Sequence, residues 1–331
     1  MKYPIKVFFA VLFIAFLVGV YLKAIHPAKE AQKPSPNMPW MKTFLGWTES
    51  GIVLAAVNLL FIVFVVIQMR YLFGGTANIT ETGYTYAEYA RKGFGELVAV
   101  AVLSIGLYML LTTITRTDTR FSKIGLTALS VLLMANLMVI LASSLQRIML
   151  YEQAYGFSRL RTYTHVFIYW LAALIVTVVV LELLRRRGHI ALALVITAIG
   201  FGASLAILNV DGFIVNRNVQ RAAAGEELDL YYLNTLSTDA VPRLLNYYND
   251  PSLPREAVHK LGAALACREK TTDDPGKLPW QSFNLSQARA YRLLQENADQ
   301  WSQYDPYLVY NEWVIAMDGE EIPCSTYDYM D

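Results

Sequence analysis

Long apolar stretches alternate with short polar ones along this chain, and the apolar stretches have the length of a lipid bilayer. Six runs stand out, at residues 5–25, 51–69, 94–114, 124–145, 164–184 and 188–210. A helix of about 20 apolar residues crosses the hydrocarbon core with every backbone group satisfied internally. The pattern therefore predicts an all-α integral membrane bundle of six spans over residues 1–224. Beyond it, residues 225–331 read as a small soluble helical domain. LSTDAVPRLLNYY offers Ser237, Thr238 and Asp239 as caps, with Pro242 in the first turn, where proline costs least. NLSQARAYRLLQENA places Asn284 three residues before Gln287 and an apolar stripe through Ala290, Tyr291, Leu294, Ala298 and Trp301. No period-2 run is evident in this part, so it is expected to be helical throughout, with a loop over residues 269–282.

Composition strengthens the membrane reading. Hydrophobic residues make up 55% and charged residues only 17%, against roughly 25% charged in soluble domains. The net charge of +1 conceals a division, because residues 1–224 hold 20 Lys+Arg against 9 Asp+Glu while residues 225–331 hold 8 against 18. An acidic tail repels nucleic acid and anionic lipid surfaces, so nucleic acid is excluded as a partner. Residues 5–25 are too long for the apolar core of a signal peptide and lack a small-residue cleavage pattern after them, so they are read as a retained span. Cys267 and Cys324 allow one disulfide, and no zinc spacing exists.

The connections differ by face. Residues 70–93 and 146–163 are long and rich in Tyr, Glu and Arg, and six crossings put them on one side with the end of the sixth run. Residues 115–123 and 185–189 are short and basic, and share the other side with the Pro-rich loop 26–49. Lys and Arg counts tie between the two faces. Glu88, Glu96, Glu152 and Asp211 are available to pair with the arginines of the rich face, while Arg185, Arg186 and Arg187 have only Glu182, one turn before Arg186. The basic loops are therefore placed in the cytoplasm and the acidic tail outside it.

Three polar segments converge on the rich face. The first supplies Tyr84, Tyr86, Glu88, Arg91 and Glu96; the second supplies Tyr151, Glu152, Tyr155, Arg159, Arg161 and His165; the third supplies Asn209, Asp211, Asn216 and Arg217. Such a cluster either ties helix ends together at headgroup depth or forms a polar pocket for a headgroup, peptide or small anion, gripped by Arg91 and Arg161. Glu96, Glu182 and Asp211 sit near span ends, which argues against ion-coupled transport. Asn58 and Asn136 lie at mid-span and suit interhelical hydrogen bonding, and Gly200 with Ser204 suits close helix packing. No nucleophile elbow, phosphate loop or zinc-protease motif occurs, so no catalytic residue, metal or cofactor is assigned.

QMRYLFGG (68–75), YTYAEYARKGFGELVAV (84–100), LQRIMLYEQAYGFSRLRTYTHVF (145–167), LNVDGFIVNRNVQRA (208–222), LDLYYLNTLSTDAVPRLL (228–245) and WQSFNLSQARA (280–290) together resemble an uncharacterised bacterial multi-pass membrane family known only as a domain of unknown function, the 4153/4173 type. The resemblance implies a protein of the bacterial cytoplasmic (inner) membrane with a helical tail, and brings no catalytic residue. Membrane lipid, and an envelope protein contacted through the acidic tail, are the expected partners. The expected role is non-catalytic binding, sensing or complex formation at the extracytoplasmic surface. An enzyme acting on a lipid-linked or phosphorylated substrate and a small-solute transporter are the alternatives.

Overall fold

A computed structural model describes residues 43–73, 86–317 and 319–325, with side chains placed except at 68–73 and 86–98. The apolar bundle is built from α1 (Trp47–Phe73), α2 (Tyr86–Ile114), α3 (Arg120–Tyr155), α4 (Arg159–Leu183) and α5 (Ile190–Ile207). Among the described residues, Trp47–Ile67, Arg120–Tyr155, Arg159–Leu183 and Arg187–Ile207 are long and apolar enough to cross a membrane, and Ala99–Ile114 adds a shorter apolar stretch in α2. The expected span at 5–25 lies outside the described residues.

Helix α3 lies at the centre, packed against α1, α2 and α4, while α5 packs on α4. Its start is fixed by a capping box, in which Thr119 Oγ1 accepts from Ser122 N–H and Ser122 Oγ accepts from Thr119 N–H. Leu54, Tyr108, Leu126, Leu133, Leu137 and Ile175 interlock around it and are fully or almost fully buried. At mid-span Asn136 Nδ2 donates to Asn58 Oδ1 at 3.0 Å, and Asn58 Nδ2 donates to the carbonyls of Leu54 and Leu129. The two asparagines thus satisfy each other inside an apolar core. Between α4 and α5, the indole of Trp170 covers Gly200, where any side chain would collide with the ring, and donates to Ser204 Oγ at 3.0 Å.

Alternating helix direction brings five helix ends together on one side. Leu45 pairs with Thr115, Ser50 Oγ meets Thr115 Oγ1 at 2.6 Å, and Trp47 packs edge-on to Phe121. On the same side Glu182 is buried and accepts from Tyr108 Oη, Thr127 Oγ1 and Arg187 Nε, at 2.8, 2.8 and 2.7 Å. The expected i to i+4 contact with Arg186 is replaced. The helix ends at Leu183, Arg185 takes a φ of 57° and turns the chain, and Arg187 folds back instead.

Beyond α5, α6 (Val210–Ala223) leaves the bundle and packs into the tail with α7 (Leu230–Thr235), α8 (Val241–Tyr248), α9 (Arg255–Thr271) and α10 (Leu285–Glu296). Ile214, Val215 and Val219 of α6 join Leu233, Leu244, Leu261 and Trp301 in one core. The caps expected at Ser237 and Asn284 are formed, and Pro242 sits in the first turn of α8. Arg268 is buried beneath α7, where its guanidinium donates to the carbonyls of Leu233, Asn234 and Leu236 at that helix's end. Burial pushes its pKa down to about 10.

The expectation of a wholly helical tail is corrected. Tyr307–Val309, Glu312–Met317 and Glu320–Pro323 form an antiparallel sheet, β1 to β3, in chain order. Tyr310 and Asn311, both at positive φ, turn β1 into β2, as a two-residue hairpin requires. β2 lays Ile315 and Met317 into the core. The burial of β2 runs through two adjacent residues, Val314 and Ile315, which hides the period of two. Asp318-Gly319 is the hairpin signal the sequence did carry.

Cys324, after β3, is bridged to Cys267 on α9, with Cα atoms 4.9 Å apart. Replacing both cysteines by serine is expected to weaken the tail by about 4 kcal/mol, the chain-entropy contribution for a closed loop of this length. Hydrogen exchange in α9 and β2 measures it, and reductant should reproduce the effect in the natural chain but not in the double variant.

Candidate functional site

The second and third polar segments meet where α3 turns into α4 against α6. Gly156 ends α3 at a φ of +74°, a conformation that disfavours any side chain. A Cβ there would also press on Arg221 Nη1 and Asn218 Oδ1. Asn218 holds the turn by both ends of its amide: Oδ1 accepts from Phe157 N–H at 2.7 Å and Nδ2 donates to Phe157 O at 3.0 Å.

Arg159, in the first turn of α4, forks onto Asp211, in the first turn of α6, with Nε to Oδ1 at 2.7 Å. Asp211 also accepts from Ser237 N–H at 2.7 Å, and Arg159 N–H donates to Tyr232 Oη at 2.8 Å. Burial raises the carboxyl's pKa. The hydrogen bonds from Arg159 and Ser237 outweigh that, so Asp211 titrates below the ordinary carboxylate value.

Several residues expected to contact a ligand are instead ties. Arg161 donates to the carbonyls of Tyr155 and Gly156 and stacks 4.1 Å over the Tyr151 ring, so its fork is already used. Tyr155 stands exposed beside Tyr151, ring centroids 5.0 Å apart. Asn209 caps α6, accepting from Gly212 N–H at 2.7 Å, and Asn216 accepts from Tyr247 Oη. Tyr84 lies outside the described residues, as do the side chains of Tyr86, Glu88, Arg91 and Glu96 on α2.

Glu152, His165 and Arg217 remain, and they line a cavity of about 720 Å³ between the ends of α3 and α4 and helix α6. Its apolar walls include Phe157, Val166, Tyr169, Leu208 and Phe213. Glu152 is the anomaly, because its side chain is only 4% exposed and, among the described residues, Oε1 has no hydrogen-bond partner. His165 Nδ1 stands 3.1 Å from that oxygen without the alignment of a hydrogen bond. Across the cavity, the Arg217 guanidinium lies 5.3 Å from the Phe213 ring and 5.9 Å from the Phe157 ring. Arg217 forms no ion pair among the described residues.

Arg221, one turn further along α6, also lines the cavity and was not singled out as a site residue. It donates to Gln153 O at 2.9 Å and reaches Glu226 at 3.5 Å. Its i to i+4 relation to Arg217 was the available signal. Among the described residues, no three His, Cys, Asp or Glu side chains are grouped to hold a metal.

The Arg159–Asp211 pair sets an acid limit. Because Asp211 is depressed in the folded chain, its contribution is complete above the unfolded value of about 3.9 and is lost as pH falls through the lower folded value. Asp211→Asn is expected to cost about 2–4 kcal/mol at neutral pH by leaving Arg159 unpaired. In thermal unfolding, the gap between variant and natural chain should close on acidification below about pH 4.

Comparison of the chain with curated proteins and with solved structures gives no match. The family described as Domain of unknown function (DUF4153) matches residues 2–247 of the 331, and the chain belongs to that family.

Proposed function

We propose that this chain is a six-span protein of the bacterial cytoplasmic membrane with a non-catalytic binding role, and that its site is the cavity at the junction of bundle and tail. The observation that carries the reading is the buried, incompletely bonded Glu152 facing that cavity. Folding does not ordinarily leave a carboxylate oxygen buried without a donor. A ligand that supplies the donor explains why Glu152 is retained where a tie residue would be paired off. The cavity's size and mixed lining fall in the range of small-molecule sites.

In this reading the tail is extracytoplasmic. A bridge between Cys267 and Cys324 suits an oxidising compartment. The acidic tail would then present its surface to an envelope protein. Transport fits less well, since the polar mid-span residues Asn58 and Asn136 are occupied with each other and with helix carbonyls.

One observation favours a second reading. The approach of His165 to Glu152 resembles a carboxylate–imidazole pair, which would serve as a general base on a lipid-linked phosphate. Turnover of lipid phosphates by the purified chain, lost in Glu152→Gln, would replace the binding role with that activity.

Site and scaffold separate by mutation. Glu152→Gln and Arg217→Gln remove no side-chain hydrogen bond formed among the described residues, and are expected to leave the melting temperature of the purified chain within about 2–4 °C of the natural one, corresponding to about 1 kcal/mol or less. Both should strip co-purifying lipid, as read by mass spectrometry of the extracted protein. Unfolding of both variants, comparable to that of Asp211→Asn, would make the cluster a scaffold.

A further inference from the structure

The cavity's charges are arranged in two opposed sets, and the arrangement selects among ligands. On the α3–α4 side stands Glu152, buried, with a carboxylate oxygen that accepts no hydrogen bond among the described residues. On the α6 side stand Arg217 and Arg221, the latter already donating to Gln153 O and reaching Glu226. The guanidinium of Arg217 touches aromatic faces but no carboxylate among the described residues, which leaves its donors available to an anion. Glu226 at the rim brings the lining to two carboxylates and two guanidiniums, with His165 besides.

An anion alone would occupy the arginine side and leave Glu152 without a donor. A cation alone would do the reverse. A ligand carrying both charges answers both walls and leaves the lining neutral.

The ligand's apolar part is indicated by the remaining wall. Val166, Tyr169 and Leu208 line the cavity, and Tyr169 and Leu208 are exposed on the outer faces of α4 and the end of α5. Ile207, beside Leu208, is 83% exposed. The apolar wall therefore continues onto surfaces that a membrane-spanning bundle presents to acyl chains.

Resting on the reading of the cavity as a ligand site, we propose that it takes a membrane phospholipid whose headgroup joins a phosphodiester to a primary ammonium, the chemistry of phosphatidylethanolamine. The phosphodiester meets Arg217 and Arg221, a geometry that guanidinium forks favour. The ammonium pairs with the Glu152 carboxylate, which lines the cavity. A quaternary ammonium has no N–H to give that carboxylate, and a glycerol headgroup has no positive charge.

The test uses the full chain in nanodiscs containing phosphatidylethanolamine, phosphatidylglycerol and phosphatidylcholine in equal parts, with retained lipid counted by native mass spectrometry. Phosphatidylethanolamine is expected to be retained about tenfold over each of the others, the least that one charge-assisted hydrogen bond contributes. Glu152→Gln should abolish the preference over phosphatidylglycerol, whereas Arg217→Gln should weaken retention of all three lipids. Circular dichroism melts confirm that both variants are folded. Soluble glycerophosphoethanolamine should compete poorly, and competition as strong as the lipid's own would overturn the membrane source. Equal retention of phosphatidylglycerol or phosphatidylcholine by the natural chain would overturn the headgroup assignment while Arg217-dependent retention kept the cavity as a site. Retention indifferent to both substitutions would overturn the assignment and the site together.

Discussion

Arg159 and Asp211 each sit in the first turn of a helix, and the two positions are not equivalent. The start of a helix carries partial positive charge, which favours Asp211 at the head of α6 and disfavours Arg159 at the head of α4. Their fork removes the conflict at α4 by bringing it the carboxylate of α6. Because α4 belongs to the apolar bundle and α6 to the tail's core, this pair ties tail to bundle together with the Asn218–Phe157 and Arg221–Gln153 bonds. Ser237 N–H on Asp211 and Tyr232 Oη on the Arg159 backbone extend the joint into the tail. The cavity exists because that joint holds α6 across the ends of α3 and α4 without closing the gap between them.

Polar residues at this junction fall into two groups that sequence chemistry does not separate. Arg161 and Arg217 are both arginines on the same face, yet one is spent on carbonyls and a tyrosine ring while the other keeps its donors. Glu152 and Asp211 are both buried carboxylates, yet among the described residues Asp211 has three hydrogen bonds and Glu152 Oε1 has none. Residues whose bonds are complete hold the fold. Glu152 and Arg217, whose side-chain bonds are incomplete among the described residues, face the cavity beside the bonded Arg221, and that difference marks a site within a cluster of similar groups.

The far side of the bundle shows the same principle fully satisfied. Glu182, fixed by Tyr108, Thr127 and Arg187, closes α2, α3 and α4 around a buried charge. Of the three arginines that follow it, Arg187 rather than Arg186 is the partner, because Arg185 leaves helical geometry and carries Arg187 back. The small sheet escaped notice for a related reason. β2 buries adjacent residues where it passes under α9, and alternation disappears once a strand is covered unevenly.

Apolar runs long enough for lipid, the caps at Ser237 and Asn284, the mid-span asparagines and the small residues at Gly200 and Ser204 were legible because each depends on neighbours a few positions away or on solvent alone. Alternating helix direction likewise followed from counting, and it brought residues 151–165 and 209–221 to a common end of the described helices. Which members of those segments bond to each other, which face a cavity, and that α6 joins the tail's core were decided only by the tertiary structure. Those outcomes depend on distances between residues some fifty or more positions apart, and such distances are set by packing rather than by local pattern.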